Sequence, residues 1–91
     1  MEIIDLNEYH QSVRTHMGPL SGMFDMVFKK QVNDMGLGEK ASPKQVDELS
    51  DRVSSAMEFF AGSRMKTTIK RVMKTELRKR APTYFEERYG F

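Results

Sequence analysis

Eight basic side chains, Arg64, Lys66, Lys70, Arg71, Lys74, Arg78, Lys79 and Arg80, fall within residues 64–80 against a single acid, Glu76. The whole 91-residue chain carries a net charge of only +2, because residues 1–63 are net acidic. Taken as a helix, at about 100° per residue, this segment gathers Arg64, Lys70, Arg71, Lys74 and Arg78 within roughly 120° of arc, away from the apolar stripe of Met65, Ile69 and Val72. Lys66, Lys70, Lys74 and Arg78 also stand in successive i,i+4 relation, and each like-charge pair of that kind costs about 0.2–0.5 kcal/mol. Such a face suits phosphates, whose neutralisation releases counterions. Five contacts predict a log–log salt slope of about −4.5 on duplex DNA. The plain alternative is a solvated face, partly neutralised by Asp47, Asp51 and Glu58 of the preceding helix.

The other reactive residues offer less. Glu76 falls inside the apolar arc of its helix, and an unpaired buried carboxylate costs several kcal/mol, so pairing with Arg80 at i+4 is expected. His10 and His16 lie roughly 120° apart on a helix and cannot clasp one metal as an i,i+4 pair does. They read as surface or core-edge histidines. Gly36 and Gly38 lack the spacer and the Gly-Lys-Ser/Thr end of a phosphate loop, and a helix C-cap accounts for them. Without cysteine there is no disulfide, zinc–thiolate site or thiol nucleophile. An enzyme would have to work through carboxylates such as Glu8, Asp25 or Glu76, and no pair of them stands out. No catalytic residue, metal site or cofactor is expected.

A second kind of surface is apolar. Met17, Met23, Met35, Met57, Met65 and Met73 fall on helical stripes, where a flexible thioether fills gaps. Met26 and Phe59 do not. With the tail aromatics Tyr84, Phe85 and Tyr89 they form the candidate partner-binding set of a protein–protein adaptor or structural subunit. The simpler use of the tail, which also holds Phe91, is to pack back on the helices.

The elements that must position these groups are helical, since apolar residues recur at three- and four-residue steps throughout. Leu6, Tyr9, Val13 and Met17 mark a helix over about 5–17, with Asp5 or Asn7 as cap and Gly18-Pro19 as its stop. Leu20, Met23, Phe24, Val27, Phe28, Val32 and Met35 mark a second over 20–35, and residues 36–42 read as a loop. Ser42, Pro43 and Gln45 spell a capping box with proline at the first helical position. Val46, Leu49, Val53, Met57 and Phe60 follow as one stripe, with Asp47, Glu48, Asp51 and Glu58 opposite as an acidic outer face. The stripe of Met65, Ile69 and Val72 is turned by roughly 150° from it, so one straight helix would need two cores. A break at Gly62-Ser63 removes the conflict, giving helices over 43–61 and 64–80; a continuous helix buried on two sides of a dimer is the rival.

The expected fold is therefore all-α: a single domain, 1–91, built as a compact bundle of about four helices with a short C-terminal helix or turn, possibly a homodimer. No signal peptide or membrane span is visible, and a cytoplasmic, soluble chain is expected. The expected function is a non-enzymatic binding module that presents its basic C-terminal helix to an anionic partner, nucleic acid first and acidic protein second.

Overall fold

The capping box is formed as spelled. In the computed structural model, which describes residues 2–90, the Ser42 hydroxyl accepts from the Gln45 amide at 3.2 Å. The Gln45 side chain accepts from the Ser42 amide at 2.9 Å. With Pro43 at the first position, this launches the longest helical run, Pro43–Arg80, labelled α3. Before it come β1 (Ile4–Asp5), α1 (Leu6–Arg14), a 3-10 turn (Gly18–Leu20), α2 (Ser21–Asp34) and β2 (Lys40–Ala41); after it comes α4 (Pro82–Tyr89).

The run α3 is two helices, because Gly62 sits at φ 84°, ψ 171°. That backbone region is essentially restricted to glycine. A straight 38-residue helix would be roughly 57 Å long at 1.5 Å per residue, yet the longest dimension of the molecule is 34 Å. Ion pairs show how the chain reverses: Asp47 meets Lys74, Asp51 meets Lys70 at 3.5 Å, and Glu58 meets Lys66 at 3.6 Å. As one partner's number rises the other's falls, so residues 43–61 and 63–80 run antiparallel as a hairpin. The two apolar stripes, out of phase along the sequence, can then face one core.

That core is a single cluster. Val46, Leu49, Val53 and Met57 from the first half of α3 meet Ile69, Met73 and Leu77 from the second. Leu6, Tyr9 and Val13 of α1, Phe24, Val27 and Phe28 of α2, and Phe85 of α4 complete it. Asp5 caps α1 by accepting from the Glu8 amide at 3.0 Å. Gly36, at φ 68°, closes α2 in the left-handed conformation, and the Leu37 amide reaches back to the Val32 carbonyl at 3.0 Å.

The all-α bundle of about four helices thus stands, with three refinements of detail. The first helix ends at Arg14, and Gly18-Pro19 enters a 3-10 turn rather than merely stopping a helix. The 36–42 loop contributes to a small antiparallel bridge, Ile4 opposite Ala41 and Asp5 opposite Lys40. Two residues a side are too few to show a period of two. The C-terminal element is a helix rather than a turn, starting at Pro82 behind Ala81. Phe91 lies outside the described residues. Among the described residues, no helix is long and apolar enough to cross a membrane.

Candidate nucleic-acid interface

Residues 63–80 carry the basic side chains, and their buried face is set by Ile69, Met73, Glu76 and Leu77. At about 100° per residue, Arg64, Arg71 and Arg78 point to the side opposite those four. All three are exposed. Seven residues is nearly two full turns, so they form a line with about 10.5 Å between successive Cα atoms. The exposed Thr67 and Thr75 lie beside the line.

The five-residue arc expected from the sequence is therefore divided. Lys70 and Lys74 occupy its edge and turn onto the first half of the hairpin: Lys70 pairs with Asp51, and Lys74 with both Asp47 and Asp51. Lys66 pairs with Glu58, Lys79 with Glu76 at 2.9 Å, and Arg80 with Glu76 at 3.1 Å and Glu8 at 3.4 Å. Among the described residues, Arg64 and Arg71 form no ion pair. The chain's own acids thus bind every lysine of the segment and leave at least two arginines to solvent.

Beneath this face lies a polar network that the sequence did not announce. Asp47 was expected on the acidic outer face; it is 6% exposed. One carboxylate oxygen takes Lys74, and the other accepts from the Tyr84 hydroxyl at 2.6 Å and the Tyr89 hydroxyl at 2.8 Å. A helical wheel sees one helix at a time, whereas the cover over Asp47 comes from the returning helix of the hairpin and from α4. Burial alone would raise the Asp47 pKa, but the bonds from Lys74, Tyr84 and Tyr89 outweigh it and hold the carboxyl below its ordinary value. Burial would likewise lower Lys74, and Asp47 with Asp51 outweighs it, so the ammonium is held above its ordinary value. The Tyr84 and Tyr89 hydroxyls are pushed up, first by burial and then by donating to a carboxylate.

The tail aromatics are accordingly committed within the chain. Phe85 is buried and Tyr84 half-buried, so neither stands as a strip for a partner; Tyr89 keeps 43% exposure while bonded to Asp47. Met26 and Phe59, in contrast, are 72% and 91% exposed. Phe60, expected to continue the stripe of Met57, is also exposed, because the core stops short of the hairpin's tip.

Glu76 behaves as expected for an acid inside the apolar arc. It is buried, and Lys79 and Arg80 outweigh the effect of burial to hold its pKa below the ordinary value. Arg80 carries the link onward, donating to the Ser12 hydroxyl at 2.5 Å and lying 5.9 Å from the centre of the Tyr9 ring. The buried Tyr9 hydroxyl donates to the Met73 carbonyl at 2.8 Å. Together these contacts pin α1 to the returning half of α3.

Comparison with family models, with curated proteins and with solved structures found no match. The local chemistry must speak for itself.

His10 stacks on Phe24, with 5.5 Å between ring centres and 8° between planes, and its Nε2 lies 2.8 Å from Asp25. Arg14 donates to both Asp25 oxygens at 3.0 and 2.9 Å, and this bond first of all lowers the Asp25 pKa. The trio joins α1 to α2, and His10 and Asp25 line an open groove of about 690 Å³. Asp5, Leu6, Gln11, Phe28, Lys29 and Glu39 also line that groove. Among the described residues, no group of three or more histidines and carboxylates could hold a metal ion.

Proposed function

We propose that the chain is a non-enzymatic binding module that takes a phosphate-bearing polymer, nucleic acid foremost, along the ridge of Arg64, Arg71 and Arg78. The observation that carries this reading is the division of labour within residues 64–80. Lysines are drawn into intramolecular ion pairs, whereas Arg64 and Arg71 have none and point away from the core. A guanidinium is a planar fork matched to phosphate oxygens and is more weakly hydrated than an ammonium. Arg64 and Arg71, held in line without an ion pair among the described residues, are the charges that gain most when counterions are displaced by a polyanion.

Lys70 and Lys74 no longer count as phosphate contacts, so the expected salt dependence is smaller than five contacts would give. Two to three contacts correspond to a log–log slope of about −1.8 to −2.7 on duplex DNA. The test is equilibrium binding of a labelled oligonucleotide between low and moderate salt. The double variant R64A/R71A is expected to weaken binding and flatten the slope by about 1.8. Binding that ignores salt, or that survives the double variant unchanged, overturns the reading.

A second reading is favoured by the exposure of Met26 and Phe59: an adaptor or subunit that buries those side chains against an acidic protein or against another copy in a homodimer. Elution mass that rises with protein concentration, and falls back in M26A/F59A, would support it. Either reading fits a cytoplasmic setting, as does a chain without cysteine.

A further inference from the structure

The exposed end of the hairpin adds a recognition element that the arginines alone do not supply. Phe59 is 91% and Phe60 64% exposed, whereas Val46, Leu49, Val53 and Met57 on the preceding turns are all fully buried. Among the described residues, neither ring is in contact with another aromatic ring or a cation. Gly62 reverses the chain immediately afterwards, so the arginine line begins at Arg64, four residues from Phe60. Four residues span at most about 14 Å. The rings and the first guanidinium therefore belong to one end of the molecule.

We infer that Phe59 and Phe60 stack on unpaired bases, so that single-stranded nucleic acid is the preferred ligand of the arginine ridge. The inference rests on the phosphate-binding reading above. In a duplex, each base already covers its neighbours, and both rings would stay in water. An unpaired base offers an open π-face, and aromatic stacking of this kind tolerates any sequence. An anionic bilayer is the competing use of an apolar tip beside a cation. A bilayer touching the tip would reach Arg64 but leave Arg71 and Arg78 about 10 and 21 Å further along the helix. A flexible single strand can follow the whole line.

The experiment compares a short labelled single strand with a duplex of the same sequence at low salt, using the full chain, F59A/F60A and R64A/R71A. The expected result is tighter binding of the single strand, and a loss in F59A/F60A of roughly 10-fold or more on the single strand. The duplex affinity and the salt slope should stay nearly unchanged in that variant. Because both phenylalanines are exposed, its urea midpoint should match that of the parent, which keeps misfolding from imitating the effect. Equal affinity for the two oligonucleotides, with F59A/F60A harmless and R64A/R71A damaging, overturns the stacking inference and leaves phosphate binding standing. No oligonucleotide binding at all overturns both. Capture by vesicles of phosphatidylserine that is lost in F59A/F60A, without oligonucleotide binding, assigns the tip to a membrane and overturns the inference as well.

Discussion

The two ends of the α3 hairpin are built from the same pair of helices and could hardly differ more. At the base, Asp47 and Lys74 face each other under a cover of Tyr84, Phe85 and Tyr89, and every polar atom of the Asp47 carboxylate is engaged. At the tip, Phe59 and Phe60 stand in solvent around a glycine turn. The base has α4 packed over it; the tip has no such cover from the described residues. Charge can be buried at the base because three partners converge on it, whereas apolar surface remains open at the tip because no described residue covers it. The closed polar end contributes to stability, whereas the open aromatic end leaves Phe59 and Phe60 in contact with solvent.

The sharpest way to break that contrast is to remove the centre of the base. Asp47→Ala strands a half-buried ammonium and two tyrosine hydroxyls, and breaking a buried ion pair costs about 3–5 kcal/mol. Urea unfolding should show a loss of that order. Glu58→Ala, which breaks an exposed pair nearer the tip, should cost less than about 1 kcal/mol. Similar losses in the two variants would erase the distinction between the ends.

Acid titrates the same contrast. Asp47 and Glu76 have folded pKa values below their ordinary values of 3.8 and 4.5. The unfolded chain then takes up protons first, so the stability these carboxylates contribute is complete above those values. It is lost as pH falls through the lower, folded values. Urea midpoints should hold steady near neutrality and drop below about pH 4, and the drop should shrink in D47A, which has already lost one of the two groups. On the alkaline side, Tyr84, Tyr89 and Lys74 are raised, so their contribution is present below pH 10.0 and is lost above it.

At the tip, Gly62→Ala isolates backbone conformation from packing. A Cβ at this position would meet nothing within 4 Å, so the effect is conformational strain alone. Forcing a non-glycine residue into this region costs about 1–3 kcal/mol. Relief is available by straightening α3 into one helix that can bury both stripes only against a second chain. Part of the variant should then elute as a dimer larger than the parent, whose radius of gyration is 12.3 Å. A variant as stable and as compact as the parent would show that glycine is not what turns the chain.

How far these features could be read from the sequence follows the same division. The capping box at Ser42 and the turn at Gly62 were legible because each is local: one is a pattern of four residues, the other a jump in phase between two stripes. Met26 and Phe59 were legible as apolar residues outside their arcs, which fits a broad core as well as a second surface; the structure leaves both exposed. The Asp47 network was not, since its hydroxyl partners lie 37 and 42 residues away and no spacing rule links them. The basic arc was read as one surface of five, with partial neutralisation by Asp47, Asp51 and Glu58 as the plain alternative, and that alternative holds for the lysines. Its edge, Lys70 and Lys74, was claimed by Asp47 and Asp51 only because the hairpin brings those acids across. Such side-to-side pairing depends on tertiary geometry, to which a single-helix projection is blind.

The smallest expected effect is the most diagnostic. R64A/R71A should alter stability by no more than about 0.5 kcal/mol, as is usual for exposed positions that hold no partner. Neither side chain contributes an ion pair that would be lost, and alanine is at least as good a helix former as arginine. K74A, on the same helix, should instead cost a large part of what D47A costs, because it leaves the buried Asp47 carboxylate without its counter-ion. The pair of measurements separates the outward line of arginines from the inward lysine by stability alone, before any ligand is added. If R64A/R71A proves as destabilising as K74A, the arginines hold the fold together, and a ridge reserved for phosphate loses its physical basis.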